Sequence, residues 1–99
     1  MKSSNVVRYK VKPEHKDEFI QAMSNLELME SNLSRKLIQT GDFQFWEIYE
    51  WETEEALTSA MPKMINFLNT FRHMLEEISP ELGVTDPVSG PVIVDRIKN

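Results

Sequence analysis

The chain has 99 residues, of which 40% are hydrophobic and 27% charged, with no cysteine and a net charge of −5 at pH 7. This is the length of one domain, and the composition excludes a disordered chain, a collagen-like chain and a disulfide-rich scaffold. Without cysteine, a thiolate nucleophile and a Cys-ligated metal are also excluded. The acidic balance lacks the positive charge with which nucleic-acid-binding proteins hold phosphates.

The sequence also predicts neither a signal peptide nor a membrane span. The first residues, Met1–Asn5, lack the apolar segment of a signal peptide, and no apolar run approaches the ~20 residues of a membrane span. We therefore expect a single domain over residues 1–99, located in the cytoplasm, with neither a nucleic-acid nor a membrane partner.

The first half of the chain predicts a strand, a helix and a hairpin. Residues 6–12 alternate between apolar and basic side chains, which indicates a strand that ends at Pro13. Apolar residues then recur at helical spacing, so a helix is predicted over 15–31. Two further strands, over 34–39 and 43–52, flank a Thr-Gly-Asp turn and form a hairpin.

The second half predicts two helical segments and a last strand. Thr53 is a plausible N-cap, with a helix to about Met61, and Pro62 is expected to break it or to start a new helix. A broad apolar stripe predicts a helix over 63–79. A Pro- and Gly-rich loop over 80–91 and a strand over 91–97 follow. The order β-α-β-β-α-β predicts an α+β, ferredoxin-like fold: a split β-α-β antiparallel sheet with helices on one face.

The third predicted strand is apolar on both of its faces, because successive strand residues point to opposite sides. One face carries Phe43, Phe45, Glu47, Tyr49 and Trp51, and the other carries Gln44, Trp46, Ile48, Glu50 and Glu52. A ferredoxin-like domain covers one face of its sheet with helices, so rings on the second face would be left in water. Burying one large aromatic side chain contributes roughly 1.5–3 kcal/mol, and exposed apolar patches mark interfaces or ligand sites. We therefore expect a symmetric homodimer; the alternative is a monomer with an apolar groove.

Two segments resemble a known family. Residues 6–19, Val-Val-Arg-Tyr-Lys-Val-Lys-Pro-Glu-His-Lys-Asp-Glu-Phe, resemble the first strand and helix start of antibiotic biosynthesis monooxygenase-like domains. Residues 45–57, Phe-Trp-Glu-Ile-Tyr-Glu-Trp-Glu-Thr-Glu-Glu-Ala-Leu, are similar to their third strand and second-helix start. The resemblance implies a dimeric α+β barrel, and Asn5 is similar in position to an Asn that the family carries early in its first strand.

Members of that superfamily include cofactor-free monooxygenases of aromatic compounds, haem-degrading enzymes and isomerases. Many carry a His and then a Pro-His pair on the second helix, where this chain has Ala60 and Pro62-Lys63. Haem-degrading members carry a Trp and a later His, where this chain has Ala60 and about Thr70. We therefore expect no haem chemistry, no cofactor and no metal. His15 and His73 share no metal-ligand spacing; we expect His73 on the solvent face and His15 in a capping or rim role.

A set of polar and aromatic residues on the first and third strands forms the candidate ligand-binding site. Glu47 lies in an aromatic row and needs a partner, for which Arg8 is the nearest predicted cation. A structural ion pair, a polar anchor in a ligand pocket and a general base are the three interpretations. The candidate ligand-binding residues are Asn5, Arg8, Trp46, Glu47, Tyr49 and Trp51, and no catalytic residue is assigned.

The leading functional hypothesis is a small-molecule-binding dimer that acts as a cofactor-free monooxygenase on an aromatic substrate. The alternative is a non-catalytic dimer of the same fold that binds a metabolite or a protein. A buried cavity lined by Trp and a polar anchor favours the first hypothesis, and a solid core on both sheet faces favours a structural role.

Overall fold

The computed structural model describes residues 1–98, so that Asn99, the last residue of the predicted domain, lies outside the described part. Four strands and two helices follow one another as β1 (Ser3–Lys10), α1 (Lys16–Ser24), β2 (Asn32–Gln39), β3 (Gln44–Trp51), α2 (Glu54–Phe71) and β4 (Asp86–Pro91). Short 3₁₀ turns precede α1 at Pro13–His15 and follow α2 at Arg72–Met74. The predicted element order is confirmed.

The strands form one sheet in the order β2-β3-β1-β4, and every neighbouring pair is antiparallel. This is the split β-α-β arrangement of a ferredoxin-like α+β fold. The pairing of β1 with β3 sets Asn5 opposite Tyr49 and Arg8 opposite Trp46. Because facing residues of an antiparallel pair share a side, Asn5 and Tyr49 lie on the face covered by the helices. Arg8 and Trp46 lie on the other side, which we call the open face.

Aromatic side chains hold the helices to the sheet. Phe19 of α1 is fully buried, and its ring lies 5.3 Å from that of Phe45 on β3 and 5.8 Å from that of Phe71 on α2. A second cluster forms around Trp51, with Leu57 and Ala60 of α2 packed against it. The helix side of the sheet is therefore a packed core, as the alternation of β3 predicts.

Helix α1 is shorter than predicted, ending at Ser24 instead of residue 31. The Ser24 hydroxyl donates to the Ile20 carbonyl at 2.8 Å, and Asn25 is the C-cap. Short polar side chains compete with the backbone for such bonds and favour helix ends. Leu28, inside the predicted helix, is 55% exposed, so little burial is available to extend α1.

Helix α2 runs through Pro62 without interruption, whereas the sequence predicts a break there. Pro62 cannot donate to the carbonyl of Thr58, one turn earlier. Both residues are exposed, so water can satisfy that carbonyl. The predicted N-cap is confirmed, since Thr53 Oγ1 accepts from the Ala56 amide at 3.0 Å. The helix ends at Phe71 and not at 79, because Leu75 leaves it to form a bridge with Val11.

The last strand lies earlier in the chain than predicted. Strand β4 occupies residues 86–91, inside the predicted loop, and pairs with β1 at the edge of the sheet, where prolines are tolerated. The Val-Ile-Val segment, predicted as a strand, lies beyond it: Ile93 is 81% and Val94 74% exposed. Within residues 1–98, no helix has the length and apolar character to cross a membrane.

Candidate functional site

Buried polar side chains mark the helix side of the sheet as more than a hydrophobic core. Those that are buried in the described chain are Ser3, Asn5, Asn32 and Glu47. A buried polar group without a hydrogen-bond partner destabilises the fold. The hydrogen-bond partners of these side chains therefore indicate the role of each group.

Glu47 sits at the centre of a buried ion pair. Glu47 is buried, and its Oε2 accepts from Arg35 Nε at 2.6 Å. Its Oε1 accepts from the Tyr9 hydroxyl at 2.8 Å. The same guanidinium donates from Nη2 to the Met23 carbonyl at 3.0 Å, which ties the end of α1 to β2. This arrangement supports the structural interpretation of Glu47, since both carboxylate oxygens are occupied by the protein.

The predicted partner of Glu47 was wrong. Arg8 is paired across the sheet with Trp46 and so points to the open face, while Val7 is the β1 residue opposite Glu47. There Arg8 Nη2 contacts Asp86 Oδ2 at 3.0 Å, and the guanidinium lies 5.8 Å from the centre of the Trp46 ring. The hairpin register could have identified Arg35, because β2 sets Leu37 opposite Glu47 and therefore places Arg35, two residues away, on the same face.

Two tyrosines lie beside this carboxylate with altered acidity. Burial raises the pKa of the Tyr9 phenol well above its ordinary value of 10.0, and the negative charge of Glu47 raises it further. The pKa of Tyr49 is raised for the same two reasons, in the same order. Neither phenol is a base at neutral pH, so both act only through their hydroxyl groups and rings.

Asn5 is oriented by the indole of Trp51. Trp51 Nε1 donates to Asn5 Oδ1 at 2.7 Å, and both side chains are buried. An indole N–H can only donate, so the amide oxygen must face it, and this fixes the orientation of the amide. Within residues 1–98, the Asn5 amide nitrogen forms no hydrogen bond and is not fully buried. Asn5 thus presents two N–H donors at the surface that it lines.

That surface is a groove between α2 and the sheet. An outer part of about 530 Å³ runs between α2 and β4, and an inner cavity of about 130 Å³ reaches under the helix. Asn5, Met61 and Pro87 line both parts, so the two are continuous at Asn5. The other residues of the inner cavity are mainly apolar or aromatic: Val7, Tyr9, Tyr49, Met64, Ile65, Phe67, Leu68, Phe71 and Thr85.

The sequence-predicted site residues fall into two groups. Asn5, Glu47, Tyr49 and Trp51 lie on the helix side, and only Asn5 and Tyr49 of these line the inner cavity. Trp51 reaches it through its bond to Asn5 and lines a separate groove of about 330 Å³ beside Met29. Arg8 and Trp46 lie on the open face and belong to no common site with Asn5.

Sequence reasoning missed most of the cavity wall. The sequence predicts Tyr9 only as a strand residue and Met61 only as the end of a helix. Met64 and Phe67 are predicted only as part of an apolar helix stripe, yet all four side chains line the inner cavity. Periodicity identifies the apolar side of α2 but does not reveal where that side stands off the sheet. His73 is exposed, as the sequence predicts, but its spacing from His15 along the chain gives no sign that the two rings lie 5.4 Å apart.

Neither a family model nor a curated protein matches this chain. Solved structures do match in fold. A monooxygenase from Streptomyces coelicolor, in complex with the ligand nanaomycin D, matches with a TM-score of 0.70 at 14% identity, covering 98% of this chain and 92% of that chain. SnoaB, a cofactor-independent oxygenase from Streptomyces nogalater, matches with a TM-score of 0.66 at 14% identity, covering 95% of each chain.

A dimeric ferredoxin-like protein from an uncultured marine organism matches with a TM-score of 0.73 at 7% identity, covering 99% of this chain and 93% of that chain. At these identities the likeness is one of fold. The chain therefore has the fold of antibiotic biosynthesis monooxygenase-like proteins, as the two resembling segments predict.

Proposed function

We propose that this protein is a homodimer that binds a planar aromatic ligand in the groove beside Asn5 and oxidises it with dioxygen without a cofactor. The observation that carries the proposal is the Asn5–Trp51 pair. It holds two amide N–H donors at the junction of an open groove and an apolar cavity, where they can bind a ligand oxygen. SnoaB, whose structure has the same fold, is a cofactor-independent oxygenase.

The dimensions and lining fit an aromatic ligand. A dry cavity of roughly 150 Å³ is enough to bind benzene, so the inner cavity of about 130 Å³ suits about one ring. The outer part, of about 530 Å³, takes the rest of a larger fused system, within the range of ~300–1,000 Å³ that is common for ligand sites. Tyr49 and Phe67 supply aromatic walls.

The chemistry balances without an external reductant only if the substrate supplies the electrons. In the simplest case a ring CH₂ group is oxidised to a carbonyl. One atom of dioxygen becomes the carbonyl oxygen, and the other leaves as water with the two hydrogens of the CH₂ group. The Asn5 amide would orient the substrate and stabilise negative charge on an adjacent ring oxygen, as preorganised N–H donors do at developing oxyanions.

A non-catalytic binding protein is the second candidate, and one observation favours it. Among the residues that the structure describes, Tyr9 and Tyr49 are the only titratable groups that line the inner cavity. The pKa of each phenol is raised by burial, so neither can take a substrate proton at neutral pH. Turnover then requires either a base outside the inner cavity, such as the Glu54 carboxylate that lines the outer part of the groove, or a substrate acidic enough to lose its proton to water.

The dimer part of the proposal rests on the open face. Val88 is 60% and Ile38 43% exposed there, beside the half-buried Trp46 and Ile48. The buried Nε of Arg8 has no hydrogen-bond partner within residues 1–98. The segment after β4 adds three exposed aliphatic side chains, Ile93, Val94 and Ile97. A second copy would bury these exposed aliphatic side chains in a self-complementary interface.

Light scattering at micromolar concentration tests the dimer. We expect twice the mass of the 11.6 kDa chain. Ile48→Lys should give the monomer, because it sets a charge in the apolar open face. Leu82→Lys, at an aliphatic residue 44% exposed in the turn before β4, is the matched control and should stay dimeric. A monomer mass for the unmodified chain across a dilution series would contradict the proposal.

Ligand binding and turnover are tested on the same protein. Hydroxylated two- and three-ring aromatic compounds are screened by thermal shift, and the compounds that bind are then followed with an oxygen electrode. Asn5→Asp keeps an acceptor for Trp51 but removes the amide donors, so it should lose the shift; Asn66→Asp, on the exposed side of α2, should keep it. Binding with no oxygen uptake would favour the non-catalytic candidate, and binding unaffected by Asn5→Asp would contradict the site.

A further inference from the structure

The only two histidines of the chain meet at one carboxylate on the molecular surface. His15 Nδ1 lies 3.6 Å from Glu18 Oε1, and His73 Nε2 lies 3.6 Å from the same oxygen. The two imidazole rings are nearly perpendicular, at 86°, with their centres 5.4 Å apart. Residues that are 58 positions apart in the sequence are thus brought to one point by the fold.

These separations suit a metal ion better than they suit hydrogen bonds. A distance of 3.6 Å is too long for a hydrogen bond between nitrogen and oxygen. A tetrahedral Zn²⁺ with bonds of about 2.1 Å separates its ligand atoms by about 3.4 Å. All three potential ligand atoms here lie within 4.8 Å of one another, so small side-chain rotations would close them around an ion.

The backbone holds the two histidines in place. The Lys12 amide donates to the Met74 carbonyl at 2.8 Å, which joins the residue next to His73 to the segment that leads into His15. The Glu76 amide donates to the Lys10 carbonyl at 2.7 Å, and the His15 amide donates to the Lys12 carbonyl at 2.9 Å. The ligands therefore stand on a scaffold that does not depend on the metal, as a preorganised site requires.

We propose that His15, Glu18 and His73 form a binding site for a divalent transition-metal ion of the Zn²⁺ class, which clips the start of α1 to the turn after α2. Two imidazoles and one carboxylate are a ligand set that Zn²⁺ takes in proteins, with water in the remaining position. Imidazole ligands select Zn²⁺ and its neighbours over Mg²⁺ and Ca²⁺, which prefer oxygen. The side chains of Glu18 and His73 are 52% and 58% exposed, so the ion has free access.

The site is tested by calorimetric titration of the chain with Zn²⁺, after removal of any affinity tag. We expect saturation at one ion per chain, and a rise in the melting temperature that EDTA reverses. His15→Gln, His73→Gln and Glu18→Gln should each weaken binding by at least about tenfold, the effect commonly seen even for losing a partner of a ligand. Glu14→Gln, which removes a neighbouring exposed carboxylate outside the cluster, should bind as the unmodified chain does.

Three results would overturn the proposal. Saturation at one ion per two chains would mean that the metal bridges two copies. Equal binding by the His73→Gln variant, or equal loss in Glu14→Gln and Glu18→Gln, would mean that general negative charge attracts the ion. Co²⁺ provides a second readout, because its visible absorption reports imidazole coordination in the unmodified chain and should disappear in His73→Gln. Since Glu18 and His73 are exposed and His15 is only half-buried, circular dichroism should show all variants folded.

Discussion

Breaking the buried ion pair of Glu47 should cost more stability than removing it altogether. Arg35→Met deletes the cation and leaves the carboxylate with the neutral Tyr9 hydroxyl as a hydrogen-bond partner. Arg35 and Glu47 side chains are 10% and 1% exposed, so solvent does little to screen the remaining charge. We expect a loss of roughly 3–5 kcal/mol, the usual cost of stranding a buried charge. This is a large part of the ~5–15 kcal/mol that stabilises a typical domain.

The double variant Arg35→Met with Glu47→Gln should be more stable than Arg35→Met alone, because no unpaired charge stays buried. The free energies are measured by urea unfolding at one fixed protein concentration, since dimerisation would link stability to concentration. Arg72→Met is the matched control: that side chain is exposed and donates to Asn69, so its loss should be small.

Additivity would refute this reasoning. If the two single losses sum to the double loss within about 0.5 kcal/mol, the groups do not interact. If Arg35→Met does not fold, Arg35→Lys keeps the charge but loses the fixed fork of the guanidinium, and it should show an intermediate loss. A Lys variant as stable as the unmodified chain would mean that the geometry of the pair contributes nothing.

Three further predictions concern the two buried tyrosines, the N-cap of α2 and haem. Because the pKa values of Tyr9 and Tyr49 are raised above 10.0 in the folded state, their contribution to stability is complete below about pH 10 and is lost as pH rises through the folded pKa values. Unfolding measured from pH 8 upward should show a decline that is less steep in a Tyr9→Phe variant. Thr53→Ala removes the cap of α2 and should cost about 1 kcal/mol in urea unfolding; Thr58→Ala, exposed within the same helix, should cost less. Incubation with haem and a reductant should leave the haem absorption band intact, and a protein-dependent loss that catalase does not prevent would contradict this.

The sequence predicts the architecture because strand alternation and helical periodicity are local signals. The alternation of β3 correctly places Phe45 and Tyr49 on one face of the sheet and Trp46 on the other. The N-cap at Thr53 is likewise predicted because it is a short-range hydrogen bond. The errors in the predicted helices arise where the tertiary surroundings of a residue override a local rule. Pro62 is tolerated because it lies on the exposed side of α2, which a local rule for proline does not consider.

The site was predicted less well because it depends on pairing between distant segments. Arg8 was expected to pair with Glu47 because β1 and β3 are neighbouring strands. The register of these strands instead places Arg8 on the face opposite to Glu47, and Arg35 of the β2–β3 hairpin is the cation that binds the carboxylate. The groove beside Asn5 depends on the distance between α2 and the sheet, and no sequence pattern encodes that distance. Of the strand predicted over 91–97, Pro91 belongs to β4 and the Val92 amide donates to the Lys2 carbonyl at 2.9 Å. The described residues after Val92 form no strand, and their exposed aliphatic side chains are consistent with the proposed second copy.

The two tryptophans of the chain allow one measurement to test the central proposal. Trp51 donates to Asn5 under α2, and Trp46 lies on the open face. The indole N–H signals of the ¹⁵N-labelled protein are followed by NMR while a bound aromatic compound is titrated. Binding beside Asn5 should shift the Trp51 signal and leave the Trp46 signal in place. A shift of Trp46 alone, or no shift of Trp51 at saturating ligand, would contradict the assignment of the groove beside Asn5 as the ligand site.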